Sequence, residues 1–345
     1  MFKDLSQYAF INAKIRSRIG QIFTEDELEA FRKDSRYQDL INILIEKEYI
    51  PREKIELDSS ILNVENCFFI GLLDIYRKII RWENEDSIKK FIKILLQRQE
   101  VQNLKNLLRI WHRKDETLLD YIYKKKIIND IPCLEIYSAE SYEQVLDLMK
   151  QTPYYNILLA NKSEFENTGS LFSVEAALDR FSFQQIFDNL TLLNKRDADI
   201  VKKFYGLEAD LTNFSLLFRF KNYYNLDYST VLGYLIPFGQ TEKRDILAEE
   251  IFVKEKFSFE LFDIFYNIPP YILKDLNQKM VTELNLKDKM MLITDLLNQV
   301  ISIQMTNTLG HYPFTIGIII VYFLMKEIEI RNLVSILNLK YYNLI

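Results

Sequence analysis

Three times along the chain the same ordered set of residues returns, and this constrains the fold more than any other feature. The segments that open at Tyr37 (YQDLINILIEKEYI), Tyr142 (YEQVLDLMKQTPYY) and Phe259 (FELFDIFYNIPPYI) each begin with an aromatic ring. An apolar residue follows three positions later (Leu40, Val145, Phe262), and a tyrosine twelve positions later (Tyr49, Tyr154, Tyr271). Next come Glu65, Glu175 and Asp295. The strings QEVQNLKNLL, ADLTNFSLLF and IEIRNLVSIL then place the acids Glu100, Asp210 and Glu329 three residues before Asn103, Asn213 and Asn332. From first copy to second the five anchors are offset by 105, 105, 110, 110 and 110 residues, and from second to third by 117, 117, 120, 119 and 119. Ile131-Pro132 and Ile236-Pro237 precede the second and third copies. The expected division is therefore an N-terminal helical segment at 1–35, then copies at 36–130, 131–235 and 236–345.

Eight glycines and seven prolines in 345 residues leave little turn chemistry, so long helices are expected over a many-stranded β fold. Each copy reads as a short helix that ends near its tyrosine, an amphipathic helix from the Glu or Asp anchor, and a long helix that carries the asparagine. In the first copy Ile88, Phe91, Ile92, Leu95, Leu104, Leu107, Leu108 and Trp111 mostly recur every three or four residues, forming an apolar stripe expected to pack within its own copy. Glu100 and Asn103, like Asp210/Asn213 and Glu329/Asn332, share one side of their helix. Asn is a poor interior helix former because its amide competes for backbone bonds. Its return at one point in three copies implies a specific hydrogen bond, either a polar tie to a neighbouring helix or a contact to a partner. Ahead of the first copy, Thr24 and Glu27 have capping-box spacing, which predicts a helix from Glu25. Tyr8, Arg16 and Arg18 fall on an earlier helix buried through Ile11 and Ile15, with Arg16 expected as a surface ion-pair partner.

The sequence carries little sign of chemistry. Forty-four Lys and Arg against 49 Asp and Glu give a net charge of −5, without the broad basic footprint of a nucleic-acid binder. The glycine pairs Gly233/Gly239 and Gly310/Gly317 make no phosphate-binding loop. His112 and His311 sit in no metalloprotease motif, and there is no GxSxG. Cys67 and Cys133 are 66 apart with no CxxC, so both are expected as buried thiols in a reducing compartment; a Cys-His nucleophile pair is the minor alternative. Asp197/Asp199 and Glu83/Glu85/Asp86 lack EF-hand spacing and read as solvated loop charges. Lys124 to Lys126 read as a wetted helix end. No signal-like apolar run opens the chain, and the most apolar stretch, Pro313 to Met325, is too short to span a bilayer and reads as a buried helix.

The C-terminal string PFTIGIIIVYFLMKEIEIRNLVSILNLK (Pro313 to Lys340) resembles the closing signature of the C-type, eukaryotic d-type, central-stalk subunits of V-type and A-type rotary ATPases. Gly317, Tyr322, Lys326, Glu327, Glu329, Arg331, Asn332, Leu333, Ile336 and Lys340 match a pattern Y-x-x-x-K-E-x-E-x-R-N-L-x-x-I. The blocks around Tyr8, Ala13, Arg16 and Arg18, the stretch from Asp210 to Lys221 that includes Arg219, and Ile236 to Gly239 are similar to weaker family blocks. Asn338 departs from the pattern, standing where a small residue is usual. The chain lacks the longer insertions of the eukaryotic proteins and so resembles the bacterial or archaeal form. The resemblance implies an all-α fold of three similar helical domains in a pseudo-threefold, funnel-like arrangement. It implies a non-catalytic rotor adapter, a monomer within a hetero-oligomeric complex on the cytoplasmic face of the membrane. Its partners would be the central shaft and the proteolipid ring, with no cofactor, no metal, no nucleic acid and no membrane span of its own. Glu100, Asn103, Asp210, Asn213, Arg219, Tyr322, Lys326, Glu327, Glu329, Arg331 and Asn332 are expected to be structural. The alternative is an unrelated helical-repeat interaction scaffold, although solenoid repeats run about 20–50 residues and these copies are about twice that. A helical enzyme with dispersed catalytic groups is the third reading.

Overall fold

The computed structural model describes residues 2–51, 61–223, 228–238, 249, 266 and 286–344, some of them, including Arg219, by their helical backbone alone. Among the described residues every regular element is helical. They form two compact units, 1–174 with 314–345, and 175–313.

In the first unit the scarcity of Gly and Pro yields α1 (Phe2–Ile19), α2 (Glu25–Asp34), α3 (Tyr37–Glu46), α4 (Ile61–Trp82) and α5 (Asp86–Arg113). A 3-10 turn (Glu116–Tyr121) and the short helices α6 (Cys133–Ser138), α7 (Tyr142–Met149), α8 (Tyr155–Ala160) and α9 (Lys162–Thr168) follow. Tyr8, Ile11 and Ile15 bury one face of α1, and exposed Arg16 turns back to Asn12 Oδ1 at 2.9 Å. α2 starts where the capping box puts it: the Glu27 amide donates to Thr24 Oγ1, and the Thr24 amide donates to the Glu27 carboxylate. The chain's last helix, α14 (Gly317–Tyr341), returns to this unit and packs on α1, α2, α3 and α4. Its first turns, Gly317 to Leu324, are buried all round, as a helix apolar on every face must be. Further along, Leu333, Ile336 and Leu337 close one core with Phe23, Leu28, Phe31, Leu40, Leu44, Val64 and Phe68. Tyr76 of α4 stacks on Phe323 of α14, with ring centroids 3.8 Å apart.

The stripe on α5 does not stay within residues 36–130. Besides α4 it packs on α6, and Trp111 at its end donates from Nε1 to the Ala139 carbonyl at 2.8 Å while its ring meets Tyr142 and Phe165. The stripe is thus shared between α4 on one side and the helices that open the next segment on the other.

The second unit contains α10 (Phe172–Asp188, whose first turn belongs to the first unit), α11 (Lys195–Tyr223), α12 (Tyr228–Tyr234) and α13 (Leu286–Gly310). α11 lies against α13. Phe183, Ala209 and Ile236 form a small core against which Phe187 and Phe238 stack. The sequence anchors fall on α3 and α7, on α4, α10 and α13, and on α5, α11 and α14, the last three of 28, 29 and 25 residues. The third short segment, with Phe259, Phe262 and Tyr271, lies outside the described residues. Asp295 lies within α13 and not at its start.

Several sequence expectations are corrected here. Glu83 and Asp197 are not solvated charges but buried carboxylates, 2% and 1% exposed. Glu83 Oε1 accepts the Asn84 and Glu85 amides ahead of α5, and burial raises its pKa above the usual carboxylate value. Asp197 exchanges hydrogen bonds with Asn194 at the start of α11. The amides of the turn before α5 and the side chain of Asn194 supply the donors these buried carboxylates need, which spacing alone does not reveal. Lys124 to Lys126 lie in an exposed loop and end no helix.

Candidate functional site

The most specific polar chemistry sits on the long helices. In α5, residues one face apart put Glu100 and Asn103 against the segment that follows the 3-10 turn. Glu100, 1% exposed, accepts four hydrogen bonds. The Ile128 and Asn129 amides donate to Oε2 at 2.6 and 2.7 Å, and Asn129 Nδ2 and the Tyr154 hydroxyl donate to Oε1 at 2.6 and 2.7 Å. Three residues on, Asn103 clamps one residue of backbone at both ends: its Nδ2 donates to the Tyr123 carbonyl at 3.0 Å, and its Oδ1 accepts the Tyr123 amide at 3.0 Å. Both oxygens of the buried carboxylate are thus met by two donors each, and the donors are satisfied at the same time. Burial and the Glu100 charge raise the Tyr154 pKa, so its hydroxyl keeps the proton it donates.

The asparagine clamp returns on α11, and the pairing of acid with tyrosine returns on both α11 and α14. Asn213 Nδ2 donates to the Ile236 carbonyl at 2.9 Å, and the Ile236 amide donates to Asn213 Oδ1 at 2.7 Å. Asp210, 3% exposed, faces Tyr266, whose pKa is raised by burial and by that charge. Spacing alone selects Tyr271; the tyrosine beside the acid is Tyr266, five positions earlier. On α14, Glu329 is 2% exposed and accepts the Tyr49 hydroxyl at 2.6 Å and the Phe23 amide at 2.8 Å on Oε1. Lys326 donates to Glu329 Oε2 at 2.5 Å and to the Tyr49 hydroxyl at 3.0 Å, with its ammonium 4.1 Å from the Tyr49 ring centre. Burial lowers the Lys326 pKa, and the Glu329 charge works against that shift. The acid of one copy is thus tied each time to a tyrosine of another copy: Glu100 to Tyr154, Asp210 to Tyr266, and Glu329 back to Tyr49.

The remaining expected residues fall around α14. Glu327 accepts Gln99 Nε2 at 2.8 Å and the Tyr76 hydroxyl at 3.2 Å, which joins α14 to α5 and α4. Tyr322 is buried, which raises its pKa, while the hydrogen-bonded Arg18 opposes the rise. Arg331 is exposed and Asn332 half-buried. The side chain of Arg219 lies outside the described residues. Sequence reasoning missed Glu83, Arg18 against Tyr322, and the Phe23 amide, because each acts through backbone or across 300 residues.

A cleft of about 600 Å³ opens beside Tyr49, Lys326 and Tyr322, with Asp74 and Lys78 on its wall. Its innermost cation, Lys326, is already held by Glu329. Among the described residues no three His, Cys, Asp or Glu side chains converge as a metal site. Burial pushes the Cys133 thiol up to about 11, with Glu135 adding to the rise, so it remains protonated at neutral pH and is no activated nucleophile. Among the described residues no helix is long and apolar enough to cross a membrane.

The family model for the ATP synthase (C/AC39) subunit matches residues 11–344. The chain belongs to this family. The match takes in every acid, tyrosine and asparagine of the ties above. Similar proteins are named as C subunits of A-type ATP synthases. That of Methanothermobacter thermautotrophicus is 23% identical over 337 residues, covering 96% of this chain and 83% of the relative. That of Methanococcoides burtonii is 24% identical over 359 aligned positions, covering 98% and 92%. The protein from Methanocaldococcus jannaschii is 25% identical over 230 residues, covering 64% of this chain and 56% of its own length. This C/AC39 chain is accordingly a rotary ATPase subunit, and its all-α structure agrees with the resemblance carried by residues 313–340.

Proposed function

We propose that the chain is a non-catalytic rotor adapter that joins the central shaft of an A-type or V-type ATPase to the ion-carrying ring in the membrane. It would sit peripherally on the cytoplasmic face, one copy per complex, and pass torque between the two partners. A torque coupler has to resist shear between its parts. The observation that carries the reading is the set of buried acid–tyrosine ties between copies, with Glu100 to Tyr154 and Glu329 to Tyr49 at 2.7 and 2.6 Å. Charge-assisted hydrogen bonds are short and directional, and close-packed interiors compress little. A twist applied to one copy would therefore be met by its neighbour and not absorbed as slip. Membership in the ATP synthase (C/AC39) subunit family supports the same reading.

The test is purification of the tagged protein from its native membranes in mild detergent, with mass identification of what accompanies it. Nucleotide-binding head subunits, a coiled-coil shaft and a small proteolipid in fixed ratio are the expected result. Recovery alone, or with unrelated soluble proteins, overturns the proposal.

A further inference from the structure

We infer that a cationic strip on the first unit, running from α1 over α4 to the loop at 122–129, is a contact surface for the anionic headgroups of a lipid bilayer. It begins on the outer face of α1. From Tyr8 to Gly20 this helix and its end carry Lys14, Arg16 and Arg18 and no acid. The Lys14 ammonium lies 5.5 Å from the ring centre of Phe10 and 5.7 Å from that of Trp82, the last residue of α4. The Arg18 guanidinium lies 5.1 Å from the same Trp82 ring. Arg18, Lys78 and Asp74 line one cleft. Asp74 accepts Arg77 Nη1 at 3.2 Å, and Arg77 Nη2 reaches on to the Tyr123 hydroxyl and the Lys126 carbonyl, each at 3.3 Å. The strip ends on exposed Lys124, Lys125 and Lys126.

The charge of this strip is unbalanced, on a chain whose net charge is −5. Asp74 and Asp120 pair with Arg77 and Lys124. The ammonium groups of Lys14, Lys78, Lys125 and Lys126 pair with no acid among the described residues. Three adjacent lysines repel one another, and their loop cannot splay to separate them. Asn103 fixes its backbone at Tyr123, and Glu100 fixes it at Ile128 and Asn129. An anionic surface relieves the repulsion, and a backbone already held loses little freedom on contact. The aromatic end decides for a bilayer. Phe10 is 53% exposed and Trp82 half-buried. Aromatic rings settle at the headgroup level of a membrane, where flanking Lys and Arg side chains reach the phosphates. Lysines act as separate point charges, which suits many separate headgroups better than one anion gripped by a fork of donors. The inference rests on the proposed peripheral placement and adds to it a direct contact with lipid.

The experiment mixes the purified full chain with vesicles of phosphatidylcholine alone, or of phosphatidylcholine mixed equally with phosphatidylglycerol. Sedimentation gives the bound fraction, and tryptophan emission reports on Trp82, because Trp111 is buried in the core. Binding with a blue-shifted emission is expected on the mixed vesicles only, and added salt should weaken it. Lys125→Gln combined with Lys126→Gln should lower the partition coefficient about 25-fold, at about fivefold per cation. Lys125→Arg combined with Lys126→Arg should retain binding. Phe10→Ala should weaken it about fivefold through lost apolar contact. All three positions are exposed, so thermal unfolding of these variants should match the parent. No binding to the mixed vesicles, equal binding to both kinds, or a partition unmoved by Phe10→Ala would each overturn the lipid surface. Equally strong capture by polyglutamate would overturn it too, in favour of an acidic polypeptide. Recovery of ATPase subunits from native membranes with failure on vesicles would sink the strip and leave the adapter role standing. Vesicle binding without that recovery would keep the strip and overturn the adapter role.

Discussion

Glu100→Gln tests the tie network most directly, because the substitution changes one atom and keeps the shape. The carboxylate receives four donors, two on each oxygen. A carboxamide must turn its NH₂ group toward one pair, so at least two donors then face a donor. If Nε2 replaces Oε2, the Ile128 and Asn129 amides lose their acceptor. If it replaces Oε1, Asn129 Nδ2 and the Tyr154 hydroxyl lose theirs. Hydrogen bonds to charged groups contribute about 1.5–3 kcal/mol each, and neutral ones about 1. Losing two and weakening two gives an expected destabilisation of about 3–5 kcal/mol, large against the usual total of about 5–15. Urea unfolding followed by helical circular dichroism would read this as a lower midpoint at unchanged slope. Tyr154→Phe alone should be destabilising by about 1.5–3 kcal/mol. Added to Glu100→Gln it should cost much less, since the two residues share one bond. A Glu100→Gln loss below about 1 kcal/mol, or full additivity with Tyr154→Phe, would refute the reasoning.

Three further outcomes follow from the same geometry. Lys326→Met leaves buried Glu329 without its cation and should lower stability by about 3–5 kcal/mol. Lys326→Gln should lose less, because Gln97 occupies the corresponding position beside Tyr154 in the first copy; equal losses in urea titrations would contradict this. Glu83 has its pKa raised by burial from the model-compound 4.5, so the folded chain holds that proton more tightly than the unfolded one. Stability then falls as pH rises from about 4.5 through the folded value, and Glu83→Gln should flatten that decline between pH 4.5 and 7, measured as the difference in unfolding free energy. Cys133, with its thiol pushed up to about 11 and its side chain buried, should resist a neutral-pH thiol reagent in the native protein and react only on unfolding; rapid labelling of the folded chain at that position would count against the structure.

Periodicity and anchor spacing were enough to place the long helices, the capping box at Thr24, and the buried start of α14, because helix formation and capping are local and each leaves a signal within one or two turns. The pairing of Glu100 with Asn103 on one side of a helix was legible for the same reason. What the amides of Asn103 and Asn213 hold was not, since their partners are backbone groups of Tyr123 and Ile236 and no side chain there identifies them. The third tyrosine shows how far a spacing rule carries: Tyr271 keeps the count, yet Tyr266 stands beside Asp210. Glu83 and Asp197 read as solvated loop acids in the sequence, yet both are buried and take their donors from Asn84, Glu85 and Asn194 beside them. The sequence by itself therefore determined the helices, their apolar faces and the threefold recurrence of acid and asparagine. Only the tertiary structure decided that each acid is satisfied by a tyrosine from another copy, and that α14 takes its partners from residues about 280 and 306 positions away. A buried charge must find donors wherever the fold brings them, and distance along the chain has no bearing on which ones arrive.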